Sequence, residues 1–284
     1  SYRALPPVLG TRAAPVFTVS VLSAGQITGR LLRLKPAVLY VPLSEIAARP
    51  DFFRSLAARQ THAVVPPRIV WNSETRRLLD ALDLAASLGI RRALTGNVGQ
   101  LSLLRSRGME AAGDFGLNLT NSRAASELRD LGLCSLTASF ELTLPQLRDL
   151  SKPLPTEMLV YGRLPLMLME NCVIANSLGC CDVGSDYRKR SAACRCTGEN
   201  VLTDRTGARF PLMPAWGHRN ELENSRTLFL ADKPEWRRLG LTYARLRFTT
   251  ESPAECVAAL RRYQGQGDYI PVDLTRGLFY RGVE

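Results

Sequence analysis

The chain reads as an α/β protein, a (β/α)8 TIM-like barrel with a cysteine-rich insertion between its seventh and eighth strands. Three observations predict this. Short apolar runs alternate with segments of helical spacing eight times along the 284 residues, and such alternation implies parallel strands joined by crossover helices. No run leads into a Gly-rich fingerprint such as GxGxxG, which favours a closed barrel over an open dinucleotide-binding sheet. One long interruption, residues 165–235, contains five of the seven cysteines. Residues 1–15 then read as a linker from a preceding region, 16–264 as the barrel and 265–284 as a tail.

The elements follow in order. Residues 16–21 (VFTVSV) form the first predicted strand and 25–34 its helix; 37–41 (AVLYV) form the second, with a helix over 44–58. The third, 62–65 (HAVV), stops at Pro66-Pro67, and 73–88 places Leu78, Leu79, Leu82, Ala85 and Leu88 at helical spacing. Strand four is 92–95 with a helix over 100–107. Strand five is 110–115, and Asn121 caps a helix over 122–131. Strand six is 135–141, followed by a helix opening TLPQ, in which Thr143 caps, Pro145 sits in the first turn and Gln146 completes a capping box. Strand seven is 158–162 (MLVYG) and strand eight 241–248 (LTYARLRF). The last helix opens SPAE, with Ser252 as cap, Pro253 early and Glu255 at the box position, and runs to about Tyr263.

Composition narrows the class. A chain of this length can bury a full core, and no run approaches the roughly 18 apolar residues of a membrane span. The start, SYRALPPVLG, has neither an initiator Met nor a signal peptide, so it reads as a cut inside a longer protein. With an odd cysteine count, this points to a reducing cytoplasm, where grouped cysteines more often mean metal than disulfides. The formal net charge is +11, and arginine supplies most of it. Arginine binds phosphate through a planar fork, so an RNA partner fits. Arginines spread over solvated helix faces would give the same total.

The interruption concentrates the chemistry. Cys172, Cys180, Cys181, Cys194 and Cys196 are followed by His218, with spacing C-x7-C-C-x12-C-x-C-x21-H. That pattern matches no standard zinc module, though three Cys and one His suit tetrahedral zinc. Cys134 and Cys256 stand alone and read as core residues. His62 reads as a wall residue of the third strand. Neither HExxH nor GxSxG occurs.

Four motifs in order, YGRLPLMLMENC, LTDRTGARFPL, HRNELENSRTLFLADK and TRGLFYRGVE, resemble the collagenase-like peptidase family U-32, and LRFTTESPAECVAALRRY is similar to that family's last strand and helix. The resemblance covers the chain from about Val16 and is closest to the carboxyl-terminal barrel of a large multi-part member. It implies more than the peptidase name. Better-understood relatives act in oxygen-independent hydroxylation of RNA bases, in tRNA or rRNA, or of a quinone precursor, and hold an iron–sulfur cluster through four cysteines. Carried over, Cys172 is the first ligand of a 4Fe-4S cluster, Cys180 or Cys181 the second and Cys196 or Cys194 the third. This chain has His218 where the family has its fourth cysteine. Imidazole replaces thiolate in some iron–sulfur sites, and zinc remains the alternative.

Barrel activity sits at the carboxyl ends of the strands, which nominates Asp114 and Asn118 after strand five, Glu141 after strand six, and Tyr161 and Arg163 after strand seven. Asp114, Glu141, Tyr161 and Arg163 are the catalytic candidates. Arg163, Arg205 and Arg219 flank the cysteines and suit a carboxylate or phosphate, or else brace the insertion; Glu170 and Asn171 suit contacts behind the first ligand. The function expected is an iron–sulfur-dependent, oxygen-independent RNA hydroxylase. The alternatives are a metal- or thiol-dependent peptidase, in which Cys172 and His218 pair as nucleophile and base, and a non-catalytic barrel docking the remainder of a longer chain.

Overall fold

Eight apolar runs pair in parallel and close into a ring. In the computed structural model, which describes residues 13–179 and 199–282, the strands are β1 (Val16–Ser20), β2 (Leu39–Pro42), β3 (His62–Val65), β4 (Arg92–Thr95), β5 (Glu110–Gly113), β6 (Ser135–Thr137) and β7 (Thr156–Met169). Then come β8 (Val201–Thr203), β9 (Arg209–Ala215), β10 (Arg219–Phe229), β11 (Tyr243–Arg247) and β12 (Leu274–Thr275). Strands β1 to β7 are neighbours in chain order, and β11 pairs in parallel with both β1 and β7. That closure leaves the ring without a free edge. It is the predicted (β/α)8 barrel, with β11 as its eighth strand.

Helices α1 (Gly29–Arg33), α2 (Leu43–Ala48), α3 (Pro50–Ala57), α4 (Thr75–Ser87), α5 (Leu101–Arg105), α6 (Ser122–Asp130) and α7 (Leu144–Asp149) connect the strands. Helix α8 (Val173–Leu178) lies beyond β7, and α9 (Pro253–Tyr263) completes the ring. In α4, Leu78, Ala81, Leu82 and Ala85 fall at i, i+3, i+4 and i+7 and are all buried, each leucine contributing roughly 1.5–3 kcal/mol. The predicted caps form as read. Asn121 Oδ1 accepts from Ala124 N at 2.9 Å, Thr143 and Gln146 close one capping box, and Ser252 and Glu255 close another. The helix predicted over 44–58 is two helices, because Pro50 has no N–H to bond backward and starts α3 instead.

The main apolar core lies between barrel and helices, and the lumen is different. Val38, Tyr40, Ala63, Leu94 and Ala112 form a small apolar cluster of their own. Above it Arg245 crosses the lumen, fully buried. Its Nε donates to Glu157 Oε2 at 2.7 Å, Nη1 to Asp114 Oδ1 at 2.7 Å and Nη2 to Thr137 Oγ1 at 2.8 Å. Thr18 donates to Glu157, the Tyr40 hydroxyl reaches the same carboxylate at 3.3 Å, and the Arg245 guanidinium lies 4.7 Å from the Tyr40 ring centroid. Breaking such a buried pair from one side costs about 3–5 kcal/mol.

Strand β7 runs 14 residues, far past the predicted 158–162. Its first half belongs to the ring. Its second half pairs antiparallel with β10, which pairs with β9, which pairs with β8. Between β7 and β11 the described residues therefore form an antiparallel extension of the barrel sheet, where the sequence predicts an insertion with no strands of its own. Proline at 165 and the absence of alternation in LPLMLM hid it. Gly162 marks the departure: its φ is +117, and a Cβ there would sit 2.0 Å from the Arg247 carbonyl oxygen. Cys134, expected in the core, is exposed, whereas Cys256 is buried as expected. Among the described residues no helix is long and apolar enough to cross a membrane.

Candidate active site at the barrel mouth

A cavity of about 810 Å³ opens at the carboxyl ends of the strands. Ser20, Pro42, Val65, Gly96 and Asp114 bring β1 to β5 to its wall, and Arg163, Arg245 and Arg247 bring β7 and β11. The antiparallel extension forms the remaining side, with Cys172, Trp216, His218 and Arg219. This volume falls within the range of small-molecule sites.

Cys172 is held by the extension's own small core. It packs against Ile174 and Leu212, alongside Met169 and Leu222. It is the N-cap of α8, and its Sγ accepts from Ala175 N at 3.4 Å. The buried Asn220 fixes the same turn, its Oδ1 accepting from Ile174 N at 3.4 Å. His218 sits in the tight turn between β9 and β10, where Gly217 and His218 both have left-handed φ values, +72 and +59. The φ at Gly217 favours glycine, and a side chain there would press on the ends of the Glu74 and Arg219 side chains. Of the six predicted metal ligands, these two are described, and both reach the cavity. Cys180, Cys181, Cys194 and Cys196 lie outside the described residues. Among the described residues no three His, Cys, Asp or Glu side chains form a metal-binding group.

Arg219 proves to be a brace. Its side chain is 2% exposed and lies between two carboxylates, bidentate to Glu170 (2.8 and 3.0 Å) and bonded to Glu74 (3.0 Å) and to Trp216 O (3.1 Å). Burial opposes its charge, but the bonds it donates to Glu170 and Glu74 outweigh burial and raise its pKa. The same bond from Arg219, joined by Trp71 Nε1 at 2.7 Å, holds the Glu170 carboxyl below its ordinary value. The cluster ties the start of α4 to the end of β7 and so fixes the extension over the mouth.

The other candidates divide. Asp114 is buried on the cavity wall, accepting from Arg245 and from Phe115 N at 2.8 Å. Arg163 lines the cavity and donates to the carbonyls of Asn224 (2.9 Å) and Ser225 (2.5 Å). Asn118 ends its 3-10 turn in a left-handed conformation, away from the cavity wall. Glu141 is exposed and contributes nothing to the cavity, because β6 ends at Thr137, four residues short of it. Tyr161 is fully buried outside the cavity, its hydroxyl 3.1 Å from that of Tyr269, and burial pushes the phenol far above its ordinary range. Its hydroxyl therefore lies off the cavity wall. Arg205 is exposed in the β8–β9 turn, and Asn171 is exposed beside Cys172. His62 is buried at the amino-terminal end of β3 with Nδ1 3.0 Å from Gln60 O, a wall residue as expected.

Sequence reasoning missed a second set. Arg247 donates to both oxygens of Glu223 at 2.8 Å and to Glu221 at 3.3 Å, and Glu221 also meets Arg68 at 3.4 Å. Arg68, Glu221, Arg245 and Arg247 all line the cavity. A signal was present in LTYARLRF: two arginines two apart on a barrel strand share one face, and that face is the lumen.

The family model for peptidase family U32 matches residues 53–200. No curated protein matches the chain. Among solved structures, the U32 peptidase Mk0906 is similar at 10% identity, with 87% of this chain and 98% of that chain covered and a TM-score of 0.48. The spore cortex-lytic enzyme SleL of Bacillus cereus is similar at 11% identity over 89% of this chain and 74% of that chain, with a TM-score of 0.38.

Proposed function

The chain belongs to peptidase family U32, and from that premise we propose that it is an iron–sulfur-dependent, oxygen-independent hydroxylase that modifies a base of tRNA or rRNA at the barrel mouth. The observation carrying this reading is that Cys172 and His218, 46 residues apart in sequence, line one arginine-rich cavity. The donors fit the group in kind, since thiolate and imidazole both ligate iron–sulfur clusters. Cys172 and His218 would hold it together with cysteines drawn from Cys180, Cys181, Cys194 and Cys196. Once bound, the cluster supplies electron transfer at a potential set by its ligands and by hydrogen bonds to sulfur, such as that from Ala175 N–H. A 4Fe-4S centre is the form proposed.

The chain's own residues supply the rest. Arg68 lies 6.0 Å from the Phe115 ring centroid at the cavity wall, and guanidinium and aromatic planes suit a base turned out of its stack. Asp114 is held by Arg245 and by the Phe115 N–H, which fixes its carboxylate on the wall as a partner for a base amine. The basic balance of the chain favours an RNA partner. The cytoplasm is the proposed location, and the remainder of a longer chain the proposed neighbour.

A thiol- or zinc-dependent peptidase is the second reading, favoured by the presence of the same thiol and imidazole on one cavity. One comparison separates the two. RNA from cells with and without the protein is digested and its nucleosides weighed. The expected result is a nucleoside one oxygen heavier that disappears on loss of the protein and is not restored by Cys172→Ser. Unchanged RNA, together with Cys172-dependent peptide cleavage, would replace this reading with the peptidase. Neither product would leave a docking barrel.

A further inference from the structure

We propose that Arg68 is the residue of the mouth that takes an oxyanion, a carboxylate or phosphate of the bound molecule, by exchanging its contact with Glu221 for that group. The inference concerns the chemistry of the ligand and holds for either reading of the site. It rests only on the mouth being where the ligand binds.

The backbone beneath Arg68 is held from the next strand–helix turn. Arg68 follows Pro66-Pro67 beyond the end of β3, where Gln100 Nε2 donates to Pro67 O at 2.6 Å and Asn97 Nδ2 to Arg68 O at 3.1 Å. Gln100 is itself buried and accepts from Thr95 Oγ1 at 2.7 Å. The aliphatic stem of Arg68 then runs over a surface that missing side chains leave open. A Cβ on Gly116 would come within 2.8 Å of Arg68 Cδ and 3.1 Å of Gly96 Cα. The guanidinium ends 6.0 Å from the Phe115 ring centroid, and Arg68 and Phe115 both line the cavity.

Glu221 reaches the same cavity from β10. Its Oε1 accepts from Arg68 Nη2 at 3.4 Å and its Oε2 from Arg247 Nη2 at 3.3 Å. The Arg68 contact is the exchangeable one. It is a single long bond, and the Arg68 side chain is 36% exposed, where an ion pair adds little over hydration. Arg219, Arg245 and Arg247 on the same cavity are only 2%, 1% and 11% exposed, and each meets a carboxylate at 2.7 or 2.8 Å. Glu221 keeps Arg247 when Arg68 leaves, so no buried carboxylate is stranded. Among the described residues Arg68 has no second carboxylate. An incoming oxyanion can engage its planar fork through two oxygens, where Glu221 takes one bond.

The test titrates the full chain with inorganic phosphate and, separately, with malonate, at ionic strength held constant with chloride. Binding is read by calorimetry, and ligand-free melting curves check that each variant folds. Wild type is expected to bind at least one probe saturably. Phosphate alone would assign Arg68 to a phosphate group, malonate alone to an organic acid, and both to oxyanions generally. Arg68→Gln should weaken binding about tenfold or more, the loss of hydrogen bonds to a charged group. Glu221→Gln removes the competing carboxylate and should strengthen binding about threefold or more. That gain should vanish in the Arg68→Gln background, because the competition is for Arg68 and not for the charge of the cavity at large. Three results would overturn the proposal: no saturable binding by wild type, undiminished binding by Arg68→Gln, or an equal gain from Glu221→Gln with and without Arg68. The readout needs neither metal nor RNA, so its failure would leave the hydroxylase reading intact, and RNA without the extra oxygen would leave Arg68 in its role.

Discussion

Glu223 has no exposed side-chain surface and shares Arg247 with Glu221. Burial, aided by repulsion from Glu221 and Glu251 and opposed by Arg247, pushes its carboxyl up to about 7 from 4.5. The folded protein then holds this proton more tightly than the unfolded chain does. The stabilisation is complete below about pH 4.5 and is lost as the pH rises through about 7. Relative to Glu223→Gln, wild type should therefore lose Tm between about pH 5 and about pH 8, by about 2 °C or more. Melting curves that keep a constant gap across that window would contradict it. Residue identity was partly legible. Asp114 and Arg163 were read from position, Cys172 and His218 from their clustering and the family resemblance, and all four line the mouth. Glu141, read as a strand's end, and Arg205, read as a flank of the cysteines, do not, because a strand's end and a hairpin's tip fall where pairing stops, which spacing alone does not reveal. Tyr161 fails for another reason: β7 turns it into the layer between barrel and helices.

At the scale of elements, the ring strands and most helices were readable because their signals are local. Apolar runs between helical periods gave seven strands within a few residues, and capping boxes fixed the starts of α7 and α9. The extension was not readable, since β7 changes partner midway, from parallel β11 to antiparallel β10. Gly162 permits that change. Its φ of +117 suits no other residue, and the atom a Cβ would meet is a backbone carbonyl that cannot swing aside. Gly162→Ala should cost on the order of 3 kcal/mol, measured by chemical denaturation. A variant within about 0.5 kcal/mol of wild type would refute this role. The Glu74–Arg219–Glu170 brace acts at the same scale, holding Cys172 and His218 over the cavity from a side the barrel strands do not reach.

For the molecule as a whole, closure of the barrel gathers residues remote in sequence at one end, and this is why the mouth's ion pairs escaped the sequence. Arg245 meets Asp114 across 131 positions and Arg68 meets Glu221 across 153, distances that no local pattern encodes. The fold followed from alternation, and the electrostatic lining of the mouth followed only from closure. The central claim is that the extension brings thiol and imidazole ligands together to hold an iron–sulfur centre above the cavity. The most direct test is iron and acid-labile sulfide content, with the visible absorption spectrum, of protein purified without oxygen, for wild type and Cys172→Ser. The account predicts iron and sulfide in stoichiometric amounts and broad visible absorption in wild type, with both sharply reduced in the variant. Wild-type protein free of iron and sulfide, or a variant whose spectrum matches wild type, would contradict it.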